Sequence, residues 1–147
     1  IKYTIVGDGP LKGKLKKIIV DMKLSKRVTL LGEISEKAKQ EALGSSDIFL
    51  FPSINQSEAF GLVQLEAMFF QLPIINTNLK NGVNFLAPKN VAITCSVKDT
   101  NGISKAITKL IENEILYKKM SEESKKNLER FNHSNMIKSY KKLFNNL

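Results

Sequence analysis

The chain has no tryptophan, one cysteine, one histidine and, among 23 basic residues, only two arginines, Arg27 and Arg130. Each scarcity narrows the possible functions. A lone Cys95 allows no internal disulfide, so a cytoplasmic chain is the expectation, with contact at the inner face of a membrane kept as a further one. With one histidine and one cysteine there is no cluster of zinc-ligand spacing. Nothing around His133 supplies the nucleophile and orienting acid of a histidine triad, so it fits a break between helices. No apolar run approaches the ~20 residues needed to cross a bilayer, and the first residues carry no signal-peptide pattern. Readers of nucleic acid favour arginine and stack bases on aromatics. This lysine surface has neither feature, and no nucleic-acid partner is expected.

What is present points to a globular α/β protein. The 147 residues are 42% hydrophobic, enough for one domain with its own core. The formal charge of +9 fits a solvated lysine coat, or a weak attraction to anionic lipid headgroups or anionic substrates. Ile1-Lys2-Tyr3 already has strand character and no initiator methionine precedes it, so the chain is expected to be a piece of a longer protein.

Short apolar runs at 1–6, 28–31, 48–51, 73–76 and 91–94 are expected strands. Between and after them, helical periodicity covers 11–23, 35–43, 62–70, 103–111 and 115–120, with a last amphipathic stretch over 121–144 broken near 132–134. Nearly all-apolar strands alternating with helices indicate a parallel sheet covered on both faces, a Rossmann-like arrangement. Ligands of such sheets bind at the carboxyl ends of the strands, so loops 7–10, 32–34, 52–61 and 76–84 should line one edge.

The most informative loop is 52–61. An apolar strand ends in Phe51-Pro52-Ser53, an acid follows at Glu58, and Phe60-Gly61-Leu62-Val63 opens a helix carrying Glu66. A helix start presents unpaired N–H groups and the positive end of the dipole, which attract a diphosphate. Gly61 lets a ligand approach the backbone because no Cβ intervenes. Phe60 and Leu62 also suit core positions. Glu66 lies among Leu62, Val63, Leu65, Ala67, Met68, Phe69 and Phe70, where a carboxylate needs a partner. Glu58, as a loop acid, could be a dipole partner worth ~0.3–1 kcal/mol.

Glu58 and Glu66 with Ala67-Met68, after Phe51-Pro52-Ser53 and before Leu72-Pro73-Ile74-Ile75, resemble the donor-binding segment of family 4 glycosyltransferases. The likeness extends to Tyr3-Thr4-Ile5-Val6-Gly7-Asp8-Gly9-Pro10-Leu11 and to Val28-Thr29-Leu30-Leu31-Gly32, and it covers almost the whole chain. These are retaining enzymes of the GT-B fold that use nucleotide-activated sugars. The resemblance implies that residues 1–147 are the C-terminal, nucleotide-sugar-binding half of such an enzyme, without its first β-α unit and its N-terminal acceptor domain. It implies that Glu58 reaches the donor sugar as the catalytic-site acid and that Glu66 holds the ribose. Backbone groups of Phe60, Gly61, Leu62 and Val63, with Gly7 and Ile34, would complete the donor site. No cofactor or metal is expected beside the nucleoside-diphosphate sugar, which is expected to be UDP-linked. The acceptor would be a saccharide or a lipid-linked one, in cell-surface polysaccharide or glycolipid synthesis.

Two departures from the family pattern stand out. The Arg and Lys that grip the diphosphate in relatives precede the Val6-Gly7-Asp8-Gly9 segment, and Lys80 and Lys89 match no family position. The segment Asn76-Thr77-Asn78-Leu79-Lys80-Asn81-Gly82-Val83 replaces a glycine pair and a Pro-Glu, which leaves the donor sugar open. Alternative readings are a GT-B-like binding module, or a sugar-nucleotide epimerase without transferase activity.

Overall fold

The computed structural model describes residues 1–55 and 57–145. They form two compact units, Ile1–Ser45 and the chain from Ser46 onward. In the first unit, strand β1 (Tyr3–Val6) and strand β2 (Val28–Gly32) pair in parallel, Tyr3 opposite Val28, with a register shift between Ile5 and Val6. Helix α1 (Lys12–Asp21) joins them, and helix α2 (Glu36–Gly44) follows. The helix expected over 11–23 ends early because Lys23 takes a left-handed φ of 56°. Its N–H turns back to the Val20 carbonyl at 2.9 Å, which closes the helix. Ser35 caps α2 by accepting from the Ala38 N–H at 3.3 Å.

The second unit is built on three parallel strands: β3 (Phe49–Phe51), β4 (Ile74–Thr77) and β5 (Ala92–Cys95). Strand β4 lies between the other two and is buried along its whole length. Helix α3 (Val63–Phe69) follows β3, helix α4 (Gly82–Leu86) follows β4, and helix α5 (Thr100–Glu112) follows β5. Helix α6 (Glu114–Leu128), a 3-10 turn (Glu129–Phe131) and helix α7 (His133–Phe144) complete the chain.

Alternation along β4 divides the core. Ile74 packs with Met68, Ala87, Val91 and Ala92 on one side; Ile75 packs with Cys95, Ala106, Leu110 and Met120 on the other. Successive strand side chains point to opposite faces, so a strand of continuous apolar residues requires this double cover. The fold class expected from the sequence, parallel strands flanked by helices, is the one observed.

Two elements differ from the sequence reading. Helix α4 takes up the end of the stretch expected as a loop over 76–84, from Gly82 onward, and β4 runs on through Thr77. The start of α4 is made by Asn81, whose Oδ1 accepts from the Val83 N–H at 3.1 Å. Helix α6 runs unbroken through 120–121, because Ser121 and Ser124 donate to the Gln71 and Leu72 carbonyls at 2.7 and 3.1 Å. The break before the last helix is where it was expected: Asn132 caps α7 by accepting from the Asn135 N–H at 2.8 Å.

Candidate functional site

The loop from β3 to α3 is shaped by two residues of unlike chemistry. Gly61 is buried and sits at φ 69°, a left-handed conformation that costs a residue with Cβ. A Cβ there would lie 2.9 Å from Cε1 of Phe51 and 3.2 Å from Nε2 of Gln64. Glycine is therefore required both by backbone angle and by space. Glu58, half-buried, accepts at Oε1 from the Gly61 N–H at 3.0 Å. That bond spans three residues and places a carboxylate over the entry to α3, where it meets the positive end of a helix. Glu58 thus combines the dipole-partner role with its position in the candidate site. A carboxylate has about four lone-pair sites, so one N–H leaves capacity for a ligand hydroxyl.

The Gly61 N–H, expected to point at a ligand, is bound by this chain's own acid. Leu62 precedes α3 with no side-chain cap, and the Gln64 and Leu65 N–H groups of the first turn donate to the Gly61 and Leu62 carbonyls, both at 2.9 Å. Glu66 follows in the first turn of α3, half-buried. Phe60 and Leu62 are not core residues. They are 41% and 62% exposed, on either side of the left-handed Gly61. Phe60 lies over Gly82 and beside Phe85, with ring centroids 6.3 Å apart. Val63, half-buried, begins the helix.

Glu58, Phe60, Gly61, Leu62, Val63 and Glu66 therefore form one continuous loop-and-helix segment of the second unit. Gly7 and Ile34 belong to the first unit. Gly7 follows β1 at φ 126° and donates its N–H to the Gly32 carbonyl at 2.8 Å. Ile34, half-buried, follows β2 just before the Ser35 cap. Both occupy carboxyl ends of strands, as expected. Asp8, beside Gly7, has its carboxyl held below the usual range first by the Lys12 ammonium and then by the Gly9 N–H.

The family model described as glycosyl transferases group 1 matches residues 1–127. The chain belongs to this family. It is 28% identical over 144 residues to the N-acetyl-alpha-D-glucosaminyl L-malate synthase of Bacillus anthracis, covering 97% of this chain and 37% of that protein. It is 26% identical over 147 residues to the poly(ribitol-phosphate) alpha-N-acetylglucosaminyltransferase of Staphylococcus aureus, covering 99% and 29%. The chain thus spans well under half the length of these relatives. Among solved structures, TarM superposes with a TM-score of 0.81 at 24% identity, over 99% of this chain and 29% of that one. HepE of Anabaena, in complex with UDP-glucose, superposes with a TM-score of 0.83 at 20% identity, over 99% and 41%. The architecture is that of the C-terminal half of a GT-B glycosyltransferase.

Within this group 1 domain, sequence reasoning missed the polar residues that carry the loop. Gln64 is fully buried, with Nε2 donating to the Val83 carbonyl and Oε1 accepting from Asn76 Nδ2, both at 3.0 Å. Thr94 Oγ1 donates to Asn76 Oδ1 at 2.8 Å. Asn81 Nδ2 donates to the Glu58 carbonyl at 2.7 Å. Asn84 Oδ1 accepts from the Leu79 and Lys80 N–H groups at 3.0 and 3.2 Å, and its Nδ2 donates to the Thr77 carbonyl at 3.1 Å. The available signal was a Gln inside the apolar helix and an Asn inside the apolar strand, since buried amides need partners.

A shallow groove of about 360 Å³ lies between β5 and α5, lined by Thr94, Ser96, Asp99, Lys105 and Lys109 among others. No motif residue lines it. Lys80 and Lys89 are exposed. Among the described residues, no three His, Cys, Asp or Glu side chains gather as metal ligands, and no helix is long and apolar enough to cross a membrane.

Proposed function

We propose that this chain is the donor-binding domain of a retaining glycosyltransferase. That enzyme would move a glycosyl group from a nucleoside-diphosphate sugar to an acceptor hydroxyl in cell-surface polysaccharide or glycolipid synthesis. One observation carries the reading. At the carboxyl end of β3, Glu58 is fixed by the Gly61 N–H, and Glu66 lies in the first turn of the helix that follows. Membership in the group 1 family supports it, as do relatives named as N-acetylglucosaminyl transferring or synthesising enzymes. UDP-glucose in the HepE complex supports a UDP-linked donor.

In this reading, the bond that breaks joins the sugar's anomeric carbon to the diphosphate, and negative charge grows on the departing oxygen. Backbone N–H groups of Leu62 and Val63, with the dipole of α3, act on that charge where it develops. The remaining acceptor capacity of Glu58 holds a donor-sugar hydroxyl, so it positions the sugar and is not assigned as a nucleophile. Glu66 accepts from the ribose hydroxyls, a charge-assisted pairing worth ~1.5–3 kcal/mol. The acceptor would be bound by the other half of a two-domain enzyme.

Calorimetric titration of the chain with uridine, guanosine and adenosine diphosphates tests the donor assignment. Weak binding with preference for the uridine nucleotide, and no sugar transfer by the chain alone, are the results expected. Sugar transfer by the isolated chain would overturn the two-domain reading, and no binding of any nucleotide would overturn the donor role.

A further inference from the structure

Glu58 is held at two points, and only one of them belongs to its own loop. Its carboxylate meets the Gly61 N–H at 3.0 Å. Its backbone carbonyl accepts from Asn81 Nδ2 at 2.7 Å, across 23 positions of sequence. The other end of the same amide caps α4 at the Val83 N–H. Val83's carbonyl is in turn gripped by Gln64, which is bound to Asn76, which is bound to Thr94. A continuous line of hydrogen bonds therefore runs from Thr94 on β5, through β4, α3 and α4, to the candidate catalytic acid. Its interior members are buried: Gln64 and Val83 are 0% exposed and Asn76 1%. The interior of this network is rigid, because breaking a link at Gln64 or Asn76 leaves a buried polar group without a partner.

We propose that Asn81 is a positioning residue: it sets where Glu58 stands, by tying the loop that carries this acid to the buried network under the sheet. The proposal rests on the donor-binding role given to Glu58 above. Asparagine is suited to the task because it is the one side chain of its size with a donor and an acceptor at its tip. The acceptor caps the helix and the donor holds the loop. Gly82 adds a steric lock. A Cβ at this position would lie 2.2 Å from Phe60 Cδ2 and 2.5 Å from the Ala59 carbonyl oxygen, so the loop of Glu58 rests directly on the α4 start.

The test is Asn81→Asp in the full-length enzyme. Aspartate caps a helix as well as asparagine but presents an oxygen where the amide donated to Glu58. Amide exchange by NMR reads the two ends separately. The Gly61 N–H, shielded by the Glu58 carboxylate, should exchange faster, while the Val83 N–H keeps its protection. Unchanged exchange at Gly61, or equal loss at Gly61 and Val83, overturns the proposal whether or not the enzyme transfers sugar. In the transfer assay, Asn81→Asp should lower kcat by roughly three- to tenfold, the range of one lost neutral hydrogen bond. KM for the donor should change little. In a Glu58→Gln background the same substitution should add nothing further, because Asn81 acts through Glu58. A full and independent loss in that background contradicts the proposal. A wild-type enzyme that transfers no sugar would refute the donor-binding reading, and the Gly61 and Val83 exchange rates would still decide the role of Asn81.

Discussion

Replacing Gly61 with alanine makes two separate demands on the loop that carries Glu58. The first is conformational. At φ 69° a residue with Cβ meets the following carbonyl, at roughly 1–2 kcal/mol. The second is spatial. The new methyl would lie 2.9 Å from Phe51 Cε1 and 3.2 Å from Phe51 Cζ, and Phe51 is a half-buried ring of β3. Forcing such a ring aside costs about 1–3 kcal/mol. The two costs are independent, so Gly61→Ala should destabilise the chain by about 2–5 kcal/mol, at or above the upper end of ordinary single substitutions. Urea unfolding followed by circular dichroism is the assay, with the midpoint falling and the slope unchanged. A loss below about 0.5 kcal/mol, the size of a neutral surface change, would refute the stated packing around Gly61.

Three further outcomes are expected. Gly82→Ala, which drives a Cβ into the Ala59 carbonyl and the Phe60 ring, should lower transfer activity in the full-length enzyme more than it lowers the unfolding midpoint; equal thermal and catalytic losses would contradict a local displacement of the loop. Burial pushes the Cys95 thiol up, helped by the charge of Asp99, and only the thiolate reacts. Iodoacetamide at pH 8 should therefore modify the native chain far more slowly than the urea-unfolded one, and similar rates would contradict this. If the +9 charge serves membrane approach, binding to anionic vesicles should fall steeply with salt, since exposed charges are screened beyond ~8–10 Å at physiological strength. Equal binding to neutral vesicles would leave a solvated lysine coat.

The parts of the fold set by local pattern were legible. The apolar run at 73–76 was expected as a strand of a sheet covered on both faces, and β4, buried along its length, is that strand. The acid and glycine before α3 marked the loop that structure shows as a Glu58–Gly61 cap. Elements held by distant partners were not legible. Helix α4 is five residues long and begins Asn-Gly, a turn signal in isolation. It stands because Gln64, from α3, holds the Val83 carbonyl. Ser121, Ser124 and Asn127 look like a surface stripe, yet they serve the carbonyls of Gln71, Leu72 and Leu86, so α6 continues where a break was expected. Phe60 failed in the opposite sense. Hydrophobicity suggested burial, but Phe60 stands at the surface against Gly82 and Phe85.

The division of labour between the two acids is the centre of the functional reading, and sugar-free nucleotide separates them. Titration of UDP into the full-length enzyme and its Glu58→Ala and Glu66→Ala variants is the direct measurement. Glu66→Ala should weaken UDP binding by ~1.5–3 kcal/mol, one lost hydrogen bond to a charged group. Glu58→Ala should bind UDP like the parent enzyme and lose turnover instead. A Glu58→Ala variant that loses UDP, beside a Glu66→Ala variant that keeps it, would contradict the assignment of sugar to Glu58 and ribose to Glu66.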